Sequence, residues 1–141
     1  MPAVRLYWKI IKPRTFGVKV ALLHPQNQNL VLLVRHSYGD QQLWNLPGGG
    51  FNPKKETAIV AAEREVLEEL NTKLENVREL CLYQTSGEGK RDTVTVFTGS
   101  VSTEHFVCNQ EIAEYKWFET SEVFTNSNVA RVARQAVRAL S

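Results

Sequence analysis

The sequence predicts a fold of the α/β (α+β) class, an α/β/α sandwich whose mixed central sheet carries helices on both faces. Three observations lead to this prediction. The chain has 141 residues, enough for a single domain (1–141) with its own hydrophobic core. Two segments have apolar residues at three- and four-residue intervals, which is typical of amphipathic helices. Apolar, often alternating runs precede and separate them, so the order is strands, helix, strands, helix.

The N-terminal segment, residues 1–13, alternates apolar and basic side chains and ends at Pro13. Its apolar residues fit a short helix or an extended arm that docks on the domain by local packing. A contact with a membrane surface or in a dimer is the alternative. Because the segment lacks the uninterrupted apolar run of a signal peptide, we expect no targeting sequence here.

The region before the first long helix predicts three strands. Residues 15–23 alternate and are rich in Val and Leu, which predicts a strand. A polar turn at 25–29 separates it from the continuous apolar run 30–34, which suits a second strand buried on both faces. After a polar loop at 37–42, residues 44–46 predict a short third strand.

A glycine-rich turn, Leu-Pro-Gly-Gly-Gly at 46–50, leads into the main predicted helix at 54–70. Consecutive glycines let the backbone approach a ligand closely because no Cβ is in the way. The N-terminus of the helix that follows favours an anion. Four apolar residues should form the buried stripe of this helix: Ile59, Ala62, Val66 and Leu70.

The second half of the chain predicts further strands and a closing helix. Strands are expected at 77–85, 92–101 and 115–119, joined by a turn at 72–76 and loops at 86–90 and 104–110. Three arginines mark the solvated face of the closing helix: Arg131, Arg134 and Arg138. Its apolar stripe comprises Val129, Val132, Ala133, Ala136, Val137 and Leu140.

The composition argues against several classes of function. A net charge of +2 is too small to indicate nucleic acid or an acidic membrane as the main partner. No apolar run approaches the length of a membrane span. Cys81 and Cys108 form neither a CxxC pair nor a Cys/His metal cluster, which favours a reducing compartment. We therefore expect a cytoplasmic protein, monomeric or homodimeric, that acts on a small molecule.

The main helix places three carboxylates close together: Glu65, Glu68 and Glu69. At about 100° per residue, Glu69 lies about 40° to one side of Glu65 and Glu68 about 60° to the other. The three head groups can therefore converge on one volume, on a side of the helix that points away from the core. Like charges at this spacing repel one another, which a bound cation would relieve. Such oxygen ligands suit Mg²⁺, for which Mn²⁺ can substitute, and a merely solvated acidic face is the alternative.

This segment resembles the sequence box of the Nudix hydrolase family. The pattern is a glycine, five residues, a glutamate, seven residues, Arg-Glu, an aliphatic residue, any residue and Glu-Glu. The lead-in at 44–50 and the acidic-to-aromatic stretch at 111–118 are also similar, so the resemblance covers most of the chain. Asn71 and Thr72 depart from the family's glycine and aliphatic residue, but Asn tolerates a left-handed helix end, so the turn should survive. The matching residues are Gly50, Glu56, Arg64, Glu65, Val66, Glu68 and Glu69.

The resemblance implies a metal-assisted reaction. Nudix enzymes cleave a diphosphate linkage in a nucleoside diphosphate joined to another moiety, by attack of water at phosphorus. By position, Glu65 and Glu69 match direct ligands of the metal, and Glu68 matches a residue that shares a second metal or its bound water. The carbonyl of Gly49 matches the backbone oxygen that completes the metal shell.

The resemblance also implies candidates for the general base and for structural roles. Glu65 or Glu68 is the first choice for the base, and Glu111, a distal acid before the last strand, is the second. As the alternative, Glu111 is an ordinary surface residue. Three residues match structural positions of the motif: Gly50, and the salt-bridged pair Glu56 and Arg64.

Four further residues are candidates for substrate binding. Arg35 and Arg91 lie at predicted strand ends and could bind phosphate, with an ordinary surface charge as the alternative for each. Tyr38 and Trp44 could stack on a base, with core or rim packing as the alternative. The histidines form no ligand spacing and pair with no nucleophile, so we expect them to be incidental: His24, His36 and His105.

Three functions compete. A Mg²⁺-dependent hydrolase of a nucleotide derivative is favoured because every carboxylate of the box is present. A Nudix-fold module that binds a nucleotide without cleaving it would typically have lost one of them. An allylic diphosphate isomerase would need a catalytic cysteine, and neither Cys81 nor Cys108 has a suitable context. Nucleoside triphosphates and nucleotide sugars both remain open as substrates.

Overall fold

The structure, a computed structural model, describes residues 14–87 and 90–140. The segment predicted at 1–13 and the tip of the predicted loop, at 88–89, lie outside the described residues. Within the described part the helices are α1 (Ala58–Leu70), α2 (Thr120–Thr125) and α3 (Arg131–Leu140). The strands are β1 (Arg14–His24), β2 (Asn27–His36), β3 (Trp44–Asn45), β4 (Gly48–Gly50), β5 (Glu75–Gly87), β6 (Lys90–Ser100) and β7 (Ile112–Glu119).

Strand β1 lies at the centre of a mixed sheet whose main path is β3-β2-β1-β6-β5. β1 and β6 run parallel, whereas the other pairings are antiparallel. β7 pairs with β2, and β4 pairs with residues 17–19 of β1. The mixed sheet expected from the sequence is therefore confirmed, and its topology places the glycines of β4 directly against the central strand.

The two faces of the sheet carry separate hydrophobic cores. Val18 on β1 and Val66 on α1 belong to the core beneath α1. Ala21 on β1, Phe118 on β7 and Ala133 on α3 belong to the core on the opposite face. Because side chains alternate along a strand, β1 contributes to both cores and joins them. The expectation of helices on both faces is confirmed.

Helix α1 begins at Ala58, four residues later than the sequence predicts. Asn52 holds the preceding residues in a turn, since its side-chain oxygen accepts a hydrogen bond from the Lys54 N–H at 2.9 Å and its carbonyl accepts one from the Glu56 N–H at 3.2 Å. Thr57 then caps the helix and accepts from the Val60 N–H at 3.3 Å. Local side-chain bonding of this kind competes with a helical start.

The end of α1 confirms one expectation and corrects another. Asn71 adopts the left-handed conformation, with φ 52° and ψ 41°, so the helix end survives without glycine. Ile59, expected in the buried stripe, is 42% exposed. The other members of the stripe, Ala62, Val66 and Leu70, are buried as expected, and Glu65 and Glu69 are buried with them. Ile59 lies in the first turn of the helix, one residue after its start at Ala58.

Three other expectations need correction. The glycine turn is a short strand, β4, whose lack of side chains permits close pairing with β1. Helix α2 is unpredicted, and it begins with a capping box between Glu119 and Glu122. In α3, Arg134 is half-buried and donates to the carbonyls of Val123 and Asn126, so this arginine is not simply solvated.

A search of the described residues for a membrane-crossing helix found none of sufficient length and apolarity.

Candidate active site

Strand β4 brings Gly48 and Gly49 against β1, opposite Lys19 and Val18. A Cβ on Gly48 would lie 2.0 Å from the Val18 carbonyl oxygen, and its φ of +146° is one that L residues rarely adopt. A Cβ on Gly49 would lie 2.8 Å from Oε1 of Glu65. Gly48 therefore excludes a side chain because of the backbone of β1, and Gly49 because of a carboxylate on α1.

Glu69 is fully buried although it carries a carboxylate. Its Oε1 accepts a hydrogen bond from the Gly48 N–H at 3.0 Å. Among the described residues its Oε2 has no hydrogen-bond partner, and neither does Nε2 of His36, which lies 3.6 Å from it. Because buried polar atoms are nearly always paired, this carboxylate oxygen is a candidate ligand for a bound cation.

Glu65 lies one helical turn before Glu69 and is only 7% exposed. The expectation that the carboxylates point away from the core is wrong for both residues, because β4 folds over this side of α1. Burial raises the pKa of Glu65, and the nearby charge of Glu69 raises it further. The site therefore concentrates negative charge in a poorly solvated place.

Arg64 holds the acidic residues of the motif in a network. Its Nη2 donates to Glu56 at 2.6 Å, and its Nη1 lies 3.1 Å from Glu65 and 3.3 Å from Glu68. The hydrogen bond to Arg64 lowers the pKa of Glu56. Glu68 itself is exposed, whereas Glu65 and Glu69 are buried, so the three carboxylates differ in their solvation.

Lys19 and His36 enter the site from the sheet, and sequence reasoning missed both. Lys19 on β1 donates through Nζ to the Leu46 carbonyl at 3.1 Å. Burial lowers the pKa of Lys19, which the charges of Glu69 and Glu65 partly offset. Lys19 is the single charged residue in the predicted strand at 15–23, and this could have marked it as a candidate. Nothing in the sequence around His36 indicates that it lies next to Glu69.

A cavity of about 180 Å³ opens beside these residues and is lined by Lys19, His36 and Tyr38 among others. The Tyr38 ring packs against His36, with ring centroids 5.0 Å apart. Burial raises the pKa of Tyr38, as do the charges of Glu69 and Glu111. Glu111 directly precedes β7 and is exposed.

The other substrate-binding candidates lie in different surroundings. The guanidinium of Arg35 already has partners within the protein. Its Nη2 lies 2.7 Å from the Glu114 carboxylate, and the group lies over the Trp44 ring at 5.4 Å. Trp44 also packs edge-on against Phe118. Arg91 lines a separate cavity of about 380 Å³, together with Arg14, Phe16, Gln84, Thr85, Asp92 and Thr93.

The residues present fit a divalent cation in part. The donor set is made of hard oxygens, the unpartnered Oε2 of Glu69 is buried, and the Glu65 carboxylate lies in a cradle that a Cβ on Gly49 would fill. No group of three or more His, Cys, Asp or Glu side chains in residues 14–87 and 90–140 is arranged to hold a metal ion. Backbone oxygens, water or substrate would therefore have to complete the coordination shell.

Replacing Glu65 by Gln is expected to raise the melting temperature of the protein in EDTA. A folded-state pKa above the unfolded value means that the native state holds its proton longer. The folded protein therefore loses stability through Glu65 as the pH rises from the ordinary pKa of a glutamate through the raised pKa of Glu65. Melting curves of both proteins should converge at low pH and separate towards pH 8. Equal melting temperatures of the two proteins at every pH would show that the charged form of Glu65 does not destabilise the folded protein.

Comparison with known proteins supplies the family context of this site. A family model described as NUDIX domain matches residues 13–140. A curated relative from Streptomyces rubellomurinus, a CMP-5'-(N-acetyl-N-hydroxy-3-aminopropyl)phosphonate hydrolase, is 33% identical over 72 residues. That match covers 50% of this chain and 34% of the relative, so this chain matches only about a third of the relative's length.

Solved structures show the same fold. The MutT NUDIX hydrolase of Burkholderia pseudomallei is 20% identical, with a TM-score of 0.77 over 91% of this chain and 98% of that one. The NUDIX domain of Shewanella oneidensis NrtR, in complex with ADP ribose, is 20% identical, with a TM-score of 0.75 over 94% and 89%. At this level of identity the likeness shows the fold alone.

Proposed function

The chain belongs to the Nudix hydrolase family, and we propose that it is a divalent-metal-dependent enzyme that hydrolyses a diphosphate linkage in a nucleoside diphosphate derivative. The observation that carries this proposal is the buried Glu69, whose Oε1 is held by Gly48 while Oε2 has no hydrogen-bond partner in the part of the chain that the structure describes. A carboxylate so desolvated is costly unless a positive charge accompanies it. A cation site is the function that this arrangement supports best.

Glu69, Glu65 and the Gly49 carbonyl would hold the cation, with Glu68 at the exposed edge. Mg²⁺ or Mn²⁺, when bound, would neutralise phosphate oxygens and lower the pKa of a water molecule. Arg64 keeps the Glu65 carboxylate in place at 3.1 Å, and the buried amino group of Lys19 is near enough to Glu69 and Glu65 for their charges to raise its pKa, which burial lowers.

The proton of the attacking water needs an acceptor near the phosphorus atom. Glu65 combines burial with a raised pKa, which suits a general base near neutral pH. Glu68 is exposed and shares Arg64, and Glu111 is exposed beside Tyr38. We therefore rank Glu65 first, Glu68 second and Glu111 third as the base.

A nucleotide is the substrate class we propose. The curated relative is named for a CMP-linked phosphonate, and the Shewanella domain was crystallised with ADP ribose. His36 lines the cavity beside Tyr38 and also lies next to Glu69. The cavity at Arg91 is lined by two arginines and by the aromatic ring of Phe16. Nucleoside triphosphates and nucleotide sugars are equally compatible with these groups.

The test is release of phosphate, pyrophosphate or nucleoside monophosphate from a panel of nucleotides, with Mg²⁺, with Mn²⁺ and in EDTA. Nucleoside triphosphates, nucleotide sugars, ADP ribose and dinucleoside polyphosphates form the panel. Metal-dependent turnover of one class would support the proposal. Absence of turnover of the whole panel, together with tight binding of one nucleotide, would favour the non-catalytic sensing module instead.

Replacing Gly49 by Ala is expected to lower turnover about 100-fold, because misplacing a reacting group by about 1 Å costs that much. The new Cβ would meet Glu65 Oε1 at 2.8 Å, and the flexible carboxylate would move away without disturbing the backbone. Steady-state kinetics with the best substrate of the panel give the effect. Gly50→Ala is the matched control, since its Cβ would meet nothing closer than 3.7 Å. Equal losses in both variants would contradict the proposed role of Glu65.

A further inference from the structure

We propose that His36 is a positioning residue for Glu69: its Nε2–H holds the second carboxylate oxygen in the orientation that binds the cation. The inference rests on the proposed function. It concerns a residue outside the sequence motif, contributed by the end of β2. The family pattern in residues 50–72 does not include it.

The burial of His36 is the first argument. The residue is 7% exposed, and its Nε2 lies 3.6 Å from Glu69 Oε2. Neither atom has a hydrogen-bond partner among the described residues. A movement of less than about 1 Å would bring the pair within hydrogen-bond distance. The two atoms are therefore poised to form a bond that fixes the carboxylate.

His24 shows what a structural histidine looks like in the same protein. Its Nε2 lies 2.6 Å from Glu104 Oε2, and its Nδ1 accepts a hydrogen bond from the Gln26 N–H at 3.1 Å. Both of its ring nitrogens are satisfied, and its ring packs edge-on against Trp117. Because Nε2 of His36 instead faces an unsatisfied carboxylate oxygen, packing alone does not account for its placement.

The way in which Glu69 is held completes the argument. Gly48 fixes Oε1 with a backbone N–H, but Oε2 can swing about that bond unless a second donor restrains it. Each carboxylate oxygen has two lone pairs, so an oxygen that accepts from His36 can still bind a cation. Groups that hydrogen-bond to a metal-ligating carboxylate typically change metal affinity by about 10- to 100-fold.

The test is the affinity of the full chain for Mn²⁺ without nucleotide, measured by electron paramagnetic resonance. We expect His36→Leu to raise the Kd for Mn²⁺ about 10- to 100-fold, and His36→Gln, which keeps a donor near the Nε2 position, to recover much of the loss. His24→Leu is the matched control, because it should lower the melting temperature and leave the Kd unchanged. A melting curve of each variant checks the fold.

The outcomes separate this inference from the proposed function. If Glu69→Gln abolishes Mn²⁺ binding while His36→Leu binds as the wild type does, the positioning role is overturned and the metal site stands. If the wild type does not bind Mn²⁺, or Glu69→Gln binds it unchanged, the metal site itself fails and the role of His36 fails with it. Should His36→Leu not fold, His36→Met takes its place, and equal affinities of the Gln and Met variants would overturn the inference.

Discussion

Replacing Glu69 by Gln is expected to lower the turnover of the best nucleotide substrate about 1,000-fold while the protein stays folded. A bound cation stabilises transition-state charge by several kcal/mol, and each 1.36 kcal/mol corresponds to about a tenfold change in rate. Oε2 of Glu69 is buried and accepts no hydrogen bond from residues 14–87 and 90–140, so its lone pairs are available to a cation. Glutamine keeps an acceptor for the Gly48 N–H but removes the negative charge, so the loss should appear in catalysis rather than in folding.

Steady-state kinetics at saturating Mg²⁺, together with a urea melt, measure this effect. Glu63→Gln is the matched control, because Glu63 lies on the same helix but is exposed and belongs to no ion pair with Arg64. Its activity should stay within about twofold of the wild type, as is usual for surface substitutions. Undiminished activity of Glu69→Gln would show that the metal assignment is wrong.

Replacing Gly48 by Ala is expected to lower the free energy of unfolding by about 4 kcal/mol. A strained backbone conformation costs about 1–3 kcal/mol and overpacking about the same again. Here the methyl group would lie 2.0 Å from the Val18 carbonyl oxygen and 2.9 Å from Lys19 Cα, at a φ of +146°. These neighbours are backbone atoms of the central strand, so they cannot turn aside as a side chain could.

Urea-induced unfolding followed by circular dichroism measures this loss. Gly50→Ala again serves as the control, because its position is exposed and its Cβ meets ordinary contacts only; its stability should change by less than about 1 kcal/mol. Gly48→Ala should also lose activity, since the N–H that holds Glu69 would move with the strand. A Gly48→Ala protein as stable as Gly50→Ala would mean that β4 does not pack on β1 as described.

Much of the fold could be predicted from the sequence because its signals are local. The run at 30–34 is apolar throughout, and β2 is indeed buried on both faces. The periodic stripe of α3 is buried at Val132, Ala133, Ala136 and Val137. The prediction is less accurate where hydrogen bonds between side chains and the backbone set the start of a helix. The turn at Asn52 makes α1 begin later than predicted, and a capping box at Glu119 starts α2, which is unpredicted.

The candidate site could also be predicted from the sequence only in part. The box residues were found because their spacing is a property of a single helix and its lead-in. Lys19 and His36 could not be found in that way, because β1 and β2 bring them to Glu69 from distant points in the sequence. From the sequence we expect Glu65 and Glu69 to point away from the core, but both are buried. A helix considered alone does not show that strand β4 covers one side of it.

Residues close together in the chain are enough to predict the family, most of the strands and the two long helices. The burial of Glu65 and Glu69, the exposure of Glu68 and the approach of His36 Nε2 to Glu69 Oε2 depend instead on how distant segments pack together. The physical reason is that solvation and pairing of a charge depend on everything packed around it. Three strands, β1, β2 and β4, supply those surroundings for α1.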